Sequence, residues 1–158
     1  MNRQLIHNIS VKEVRARKLV GFRVLCENDE YKNEIPKASK SLDNRLGEIK
    51  HLQNKDTQIG AFFVDSDKEE ADGYWVCVEV EEFEDIPIDM VMITIPRQKY
   101  AAAEFKGSNQ QIFQAYDELH QWAEDNSYVR LKNTWHLEIF QSWEDQDNLQ
   151  VELLDTVR

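Results

Sequence analysis

The same order of predicted elements occurs twice along this chain, and that repetition constrains the fold more than any other feature. Each half contains a predicted strand, an amphipathic helix, a second strand, a charged loop and a third strand. Phe62 and Glu138 occupy similar places after the two helices and lie 76 residues apart. Residue identity between the halves is slight, so two unrelated halves of similar order are the alternative. We expect a single α+β domain built by duplication, with halves near residues 1–86 and 87–158.

Two segments show the spacing of an amphipathic helix. In residues 35–52 and again in residues 112–123, apolar side chains recur at intervals of three and four, with polar side chains on the opposite face. The pattern predicts two main helices, one in each half.

The strand signal is strongest in Tyr74–Phe83, where side chains alternate between two faces. One face carries Val76, Val78 and Val80, and the other carries Trp75, Cys77, Glu79 and Glu81. The remaining predicted strands are residues 11–26 (one or two strands), 57–64, 90–95, 99–105, 135–142 and 149–154. A charged loop is predicted at 65–73, and the connection between the halves at 85–89.

The charge of the chain excludes several partners. Its 158 residues include 30 acidic and 19 basic side chains, for a formal net charge of −11. Such a surface repels the phosphate backbone of nucleic acids and anionic membranes, because affinity for both comes largely from lysine and arginine. There is no basic patch, helix-turn-helix signature, signal peptide or membrane-spanning run. We expect a cytoplasmic protein without direct DNA binding and without a DNA-binding domain.

Metal and cofactor chemistry are not indicated by the sequence. Cys26 and Cys77 lie far apart, and His51 and His120 have no ligand partners at metal spacing. No phosphate-binding loop, dinucleotide fingerprint or nucleophile elbow is present. We expect neither a metal nor a cofactor.

The predicted strand Trp135–Ser142 carries the most suggestive polar residue. Its alternation places Leu137 and Ile139 on one face and Glu138 on the other, beside His136 and Phe140. A sheet face covered by helices is normally aliphatic, so Glu138 is expected on the face away from the helices. The same reasoning places Trp75 and Glu79 on that face.

A carboxylate between aromatic side chains suits a cationic, flat or apolar ligand. The rings supply contact area and cation–π attraction, and the carboxylate supplies a countercharge. Burial also raises the pKa of a carboxyl group, which suits proton transfer. The alternative is an open sheet face with Glu79 and Glu138 as ordinary solvated positions.

Several stretches together resemble a known family. The run IPRQKYAAAEFKGS at residues 95–108, the helix end LHQWAEDN and the strand HLEIF are similar to the gyrase-inhibitor-like family. This family is also known as the effector-binding domain of AraC-type and multidrug-responsive regulators. GAFFVDSDKEEADGYWVCVEV in the first half is similar to the family's strand, acidic loop and aromatic-led strand.

The resemblance implies two strand–helix–strand–strand modules, with the two main helices on one side of antiparallel sheets and a ligand groove on the other. The family's central acidic residue corresponds to Glu138. The remaining expected groove residues are Trp75, Glu79, His136 and Phe140, then Tyr100 and one of Phe62 and Phe63, with Phe63 preferred.

Three functions follow from these expectations. The first is a stand-alone binding protein for aromatic or cationic drug-like molecules. The second is a hydrolase of strained electrophilic toxins, in which Glu138 and Glu79 form an acid–base pair. The third is an acidic protein that binds a topoisomerase or transcription partner.

Overall fold

Eight antiparallel strands form one continuous sheet in the computed structural model, which describes residues 4–64 and 66–158. The first half contains β1 (Ile6–Val14), β2 (Arg17–Val24), α1 (Tyr31–Asp43), β3 (Gln58–Phe63) and β4 (Tyr74–Val80). The second half contains β5 (Val91–Ile95), β6 (Gln98–Gly107), α2 (Ile112–Asp125), β7 (Trp135–Ser142) and β8 (Leu149–Thr156). The predicted α+β class is therefore confirmed. Of the predicted loop 65–73, Asp65 lies outside the described residues.

The order of the strands shows the pseudo-twofold relation between the halves. Across the sheet the order is β1-β6-β8-β7-β3-β4-β2-β5. The counterparts are β1 and β5, β2 and β6, β3 and β7, and β4 and β8. Members of each pair lie at equal distances from opposite ends of this order. The central pair is β3 and β7, in which Gly60 lies opposite Glu138. The predicted duplication is present. The first strand of each half pairs with the second strand of the other half, at an edge of the sheet.

Two short connections show that the sheet curls strongly. Arg15 and Ala16 alone join β1 to β2, and Pro96 and Arg97 alone join β5 to β6. Each pair of joined strands is six positions apart in the sheet, which is about 29 Å in a flat sheet with its usual strand spacing. A two-residue link spans only about 11 Å between the flanking Cα atoms. The two edges of the sheet therefore approach each other, and the sheet has an inside and an outside.

The inside of the curled sheet is the most completely buried region of the protein. Buried side chains from seven strands pack there, and these are less than 3% exposed: Leu19, Ile59, Ala61, Cys77, Ile95, Tyr100, Ala102, Leu137 and Leu154. The outside is covered by the helices. Leu42 of α1 packs on Val76, Val78 and Val80, as predicted, and Leu119 of α2 packs in a second cluster on β6 and β8.

The first helix differs from its prediction over residues 35–52. It begins at Tyr31 and ends at Asp43, and only a short 3₁₀ turn at Leu46–Glu48 follows. Asn44 and Gly47 are both poor helix formers, which favours the early end. Leu46 and Leu52 still pack against the core beneath α1, so they kept a helix-like spacing without belonging to the helix. Neither main helix, nor any other in the described residues, is long and apolar enough to cross a membrane.

Candidate functional site

A cleft of about 980 Å³ opens between α1 and α2 on the outside of the sheet. Strands β3, β4 and β7 form its floor, through residues that include Gly60, Tyr74 and Glu138. Tyr31 and Ile35 line the wall contributed by α1, whereas α2 contributes the opposite wall.

The prediction that Glu138 lies on the sheet face away from the helices was wrong. Glu138, His136 and Phe140 share one face of β7, as expected, but that face is the one on which the helices pack. Leu137 and Ile139 face the inside of the curled sheet instead. The reason is that the sheet covers its own inner face more completely than the helices cover the outer one. The aliphatic side chains therefore point inward, and the polar ones lie in the gap between the helices.

Glu138 lies on the floor of the cleft and is only 7% exposed. The Tyr74 hydroxyl donates a hydrogen bond to Oε1 at 2.5 Å, and the Tyr116 hydroxyl donates one to Oε2 at 2.6 Å. Strand β4 thus supplies one tyrosine and α2 the other. Each carboxylate oxygen accepts a hydrogen bond from a different element of the fold.

Burial dominates the electrostatics of this group. It raises the pKa of Glu138, and the hydrogen bonds from Tyr116 and Tyr74 only partly oppose that rise. The pKa values of both phenols are raised as well, by burial and by the neighbouring carboxylate. Both tyrosines therefore stay neutral, and they bring no positive charge to Glu138.

A second buried acidic side chain lies on the cleft wall and, unlike Glu138, has a cationic partner. Asp155 is 1% exposed, and Nε of Arg130 donates to its Oδ2 at 2.7 Å. Glu138 has no comparable ion pair with a basic side chain within residues 4–64 and 66–158. Of the two buried carboxylates at the cleft, only Glu138 has neutral partners.

The absence of a side chain at Gly60 makes room for this arrangement. Gly60 lies opposite both Glu138 and Val76 in the sheet. A Cβ atom at this position would overlap the Tyr74 hydroxyl. A glycine inside a strand often marks such a close approach by another group.

Aromatic rings surround the carboxylate. The Phe62 ring stacks on Tyr74 with centroids 5.9 Å apart and meets Tyr116 edge-on at 6.5 Å. Phe140, one of the predicted site residues, also lines the cleft. Phe63, the preferred residue of its pair, borders the cleft but packs on Trp135 with centroids 4.2 Å apart. Phe62 is therefore the one that lies beside Glu138.

Four predicted site residues do not line the cleft: Trp75, Tyr100, Glu79 and His136. Trp75 packs edge-on against Trp135 inside the curled sheet, at 4.9 Å between centroids. Tyr100 is buried in the same inner cluster. Glu79 forms ion pairs with Arg15 and Arg17 at 3.2 and 3.0 Å. The alternation of β4 was correct, but its Trp75 face points inward, so the structure does not pair Glu79 with Glu138.

His136 lies on the same face as Glu138 and is fully buried beneath Phe62, with ring centroids 6.0 Å apart. The Thr156 backbone N–H donates to its Nδ1 at 3.1 Å. Nδ1 also lies 3.0 Å from Oδ1 of Asp155, and Nε2 lies 3.0 Å from the Leu131 carbonyl oxygen. Both ring nitrogens bind the protein, so His136 supports the floor from below.

Sequence reasoning missed Tyr74, Tyr116 and Gly60. Tyr116 belongs to the apolar stripe of α2, where its spacing is indistinguishable from that of a core residue. Tyr74 begins β4 on the face of Val76, Val78 and Val80, which the alternation assigns to packing against a helix and not to the groove. The usable signal was Gly60, because a glycine inside an otherwise apolar strand indicates close approach of another group.

One group of potential metal ligands forms outside the cleft. Nε2 of His51 lies 2.9 Å from Glu82 and 3.1 Å from Glu84, all on the exposed surface. Cys26 and Cys77 are free thiols, and burial raises the pKa of Cys77 far above its usual value, which makes it unreactive.

The sequence matches the model of the GyrI-like small molecule binding domain over residues 7–154. The chain therefore belongs to the GyrI-like family. No curated protein matches it.

Solved structures share this fold at low sequence identity. The crystal structure of the EcmrR C-terminal domain is 18% identical with a TM-score of 0.67, and the match covers 96% of this chain and 97% of that one. The structure of SAV2435 bound to tetraphenylphosphonium is 16% identical with a TM-score of 0.70, covering 96% and 94%. The EcmrR chain in a cryo-EM structure with DNA is 18% identical with a TM-score of 0.70. That match covers 99% of this chain but only 59% of the EcmrR chain.

Proposed function

We propose that this protein binds aromatic organic cations in the cleft between α1 and α2, with Glu138 as the countercharge. The observation that carries the proposal is the state of Glu138, a buried carboxylate whose two hydrogen-bond partners are neutral phenols. The family model supports a small-molecule ligand, and the SAV2435 structure with bound tetraphenylphosphonium supports an organic cation.

The physical argument is one of charge compensation. Burying an ionised carboxylate without a cationic partner costs several kcal/mol, as an order of magnitude. A cation entering the cleft would recover part of that free energy. The rings of Phe62, Tyr74, Tyr116 and Phe140 would add apolar contact and cation–π attraction around it.

A cationic and a neutral aromatic phosphorus compound together test the proposal. We expect tetraphenylphosphonium to bind the wild-type protein in isothermal titration calorimetry with a Kd on the order of micromolar. Triphenylphosphine oxide, which is aromatic but neutral, should bind at least about tenfold more weakly, since it gains no charge compensation. Equal affinity for the two compounds would contradict a role for the carboxylate.

The hydrogen bonds of the site also predict which cations are preferred. The two tyrosine hydroxyls take one acceptor site on each oxygen of Glu138 and leave about two of its four, whereas Ser39 and Gln58 on the cleft wall bond each other. A primary ammonium group has three N–H donors and would lose water without finding acceptors for all of them. We infer that the site favours cations without N–H groups.

Benzyltrimethylammonium and benzylammonium carry the same ring and the same charge. We expect the quaternary ion to bind about tenfold more tightly, since each lost hydrogen bond to a charged donor costs about 1.5–3 kcal/mol. Competition against tetraphenylphosphonium would measure both affinities. Tighter binding of benzylammonium would show that the cleft offers acceptors for all three of its N–H donors and would contradict this preference.

A further inference from the structure

Five large apolar side chains are exposed to solvent in the described part of the chain, and two of them line the cleft. The five are Leu25, Ile88, Met92, Phe113 and Val129. Leu25, which is 60% exposed, and Phe113, which is 78% exposed, both line the cleft. Because the cleft floor is buried and these two are exposed, they lie at its mouth.

The two residues come from different halves of the protein. Leu25 directly follows β2 in the first half, and Phe113 lies in the first turn of α2 in the second half. In both places the preceding residue, Val24 or Ile112, is buried in the core at 8% exposure. Each half therefore buries one apolar side chain and leaves the next one uncovered at the mouth of the cleft.

We propose that Leu25 and Phe113 are specificity-determining residues that contact the outer part of the bound ligand. This inference rests on the proposed function, and it adds a size class: cations with several aromatic arms that extend from Glu138 to the mouth. A compact cation at Glu138 would leave both side chains in water, whereas a bulky one would cover them.

The volume of the cleft agrees with this size class. At about 980 Å³ it lies at the upper end of the range for small-molecule sites, about 300–1,000 Å³. Burial of an exposed phenyl or isobutyl group against ligand rings is favourable in proportion to the apolar area removed from water. For a partial burial of this kind, each side chain accounts for about a tenfold change in affinity.

The test compares a bulky and a compact cation on single variants. For Leu25→Ala and Phe113→Ala we expect the Kd of tetraphenylphosphonium to rise about tenfold each. The Kd of benzyltrimethylammonium should stay within about twofold of wild type, because this ion does not reach the mouth. Met92→Ala is the matched control, since it removes an exposed apolar side chain that does not line the cleft.

The outcomes separate this inference from the proposed function. If wild type binds neither cation, the proposed function fails and this inference fails with it. If wild type binds both, and Phe113→Ala and Leu25→Ala leave the tetraphenylphosphonium affinity unchanged, only the size class fails. An equal loss for both cations would show that the two residues shape the whole cleft rather than select for size, which also overturns the inference.

Discussion

Replacement of Glu138 by glutamine is expected to weaken tetraphenylphosphonium binding about a hundredfold or more, while making the unliganded protein more stable. The loss of affinity follows from removing one partner of a desolvated charge pair, which costs about 2–5 kcal/mol in comparable cases. The gain in stability follows from removing a buried charge. The amide can still accept a hydrogen bond from one tyrosine and donate one to the other.

The size of the stability change depends on pH. The pKa of Glu138 in the folded protein is raised above its usual value of 4.5 by burial, with Tyr116 and Tyr74 opposing that rise. The stability associated with this group is therefore fully present below the unfolded pKa and is lost as pH rises through the folded pKa. The advantage of Glu138→Gln should be absent at low pH and should grow on raising the pH, until it levels off.

Two measurements check this result together. Titration calorimetry gives the affinity, and thermal unfolding without ligand gives the stability, at about 2–4 °C for each kcal/mol in a domain of this size. Opposite signs for the two effects would exclude unfolding as the cause of lost binding. A variant that binds the cation as tightly as wild type would remove Glu138 from the site. In wild type, affinity should also fall as pH is lowered, because protonation neutralises the countercharge.

Substitution of Gly60 by alanine should damage both the fold and the site. The added Cβ would overlap the Tyr74 hydroxyl, so Tyr74 must move away from Glu138. Overpacking and the loss of one hydrogen bond to a buried carboxylate together destabilise by about 2–4 kcal/mol. Cation affinity should fall as well, because the moved ring occupies the cleft.

Gly47→Ala is the matched control for this substitution. Gly47 is exposed, and a Cβ atom there would contact nothing within 4 Å. Urea denaturation should give a free energy of unfolding for Gly47→Ala close to that of wild type or slightly higher. If Gly60→Ala were as stable as Gly47→Ala and bound tetraphenylphosphonium normally, Tyr74 would not be a fixed part of the site.

Much of the architecture was predictable because its signals are local. Alternation along β4 correctly placed Val76, Val78 and Val80 under a helix and Trp75 on the opposite face. Helical spacing located α2, and the repeated order of elements predicted the duplication seen in the sheet. Alternation along β7 likewise identified Glu138 as a polar side chain in the middle of a strand.

The boundaries of α1 were less predictable than those of α2. Leu46 and Leu52 continue the spacing of three and four beyond the end of the helix, because they pack against the same core from an irregular segment. A periodicity records which side chains face the core, and it does not record the backbone conformation that brings them there.

Local sequence patterns were enough to predict the presence of two helices, the alternating faces of the strands and the carboxylate in the middle of β7. Which face of the sheet carries the cleft depends on tertiary packing. The sheet curls until its edges approach, so its inner face is buried without any helix, and Leu137 points inward while Glu138 points between the helices. Tyr74 of β4 and Tyr116 of α2 both reach Glu138 because long-range packing brings these elements together. Alternation assigns residues to opposite faces, but long-range packing decides which face is covered and by what.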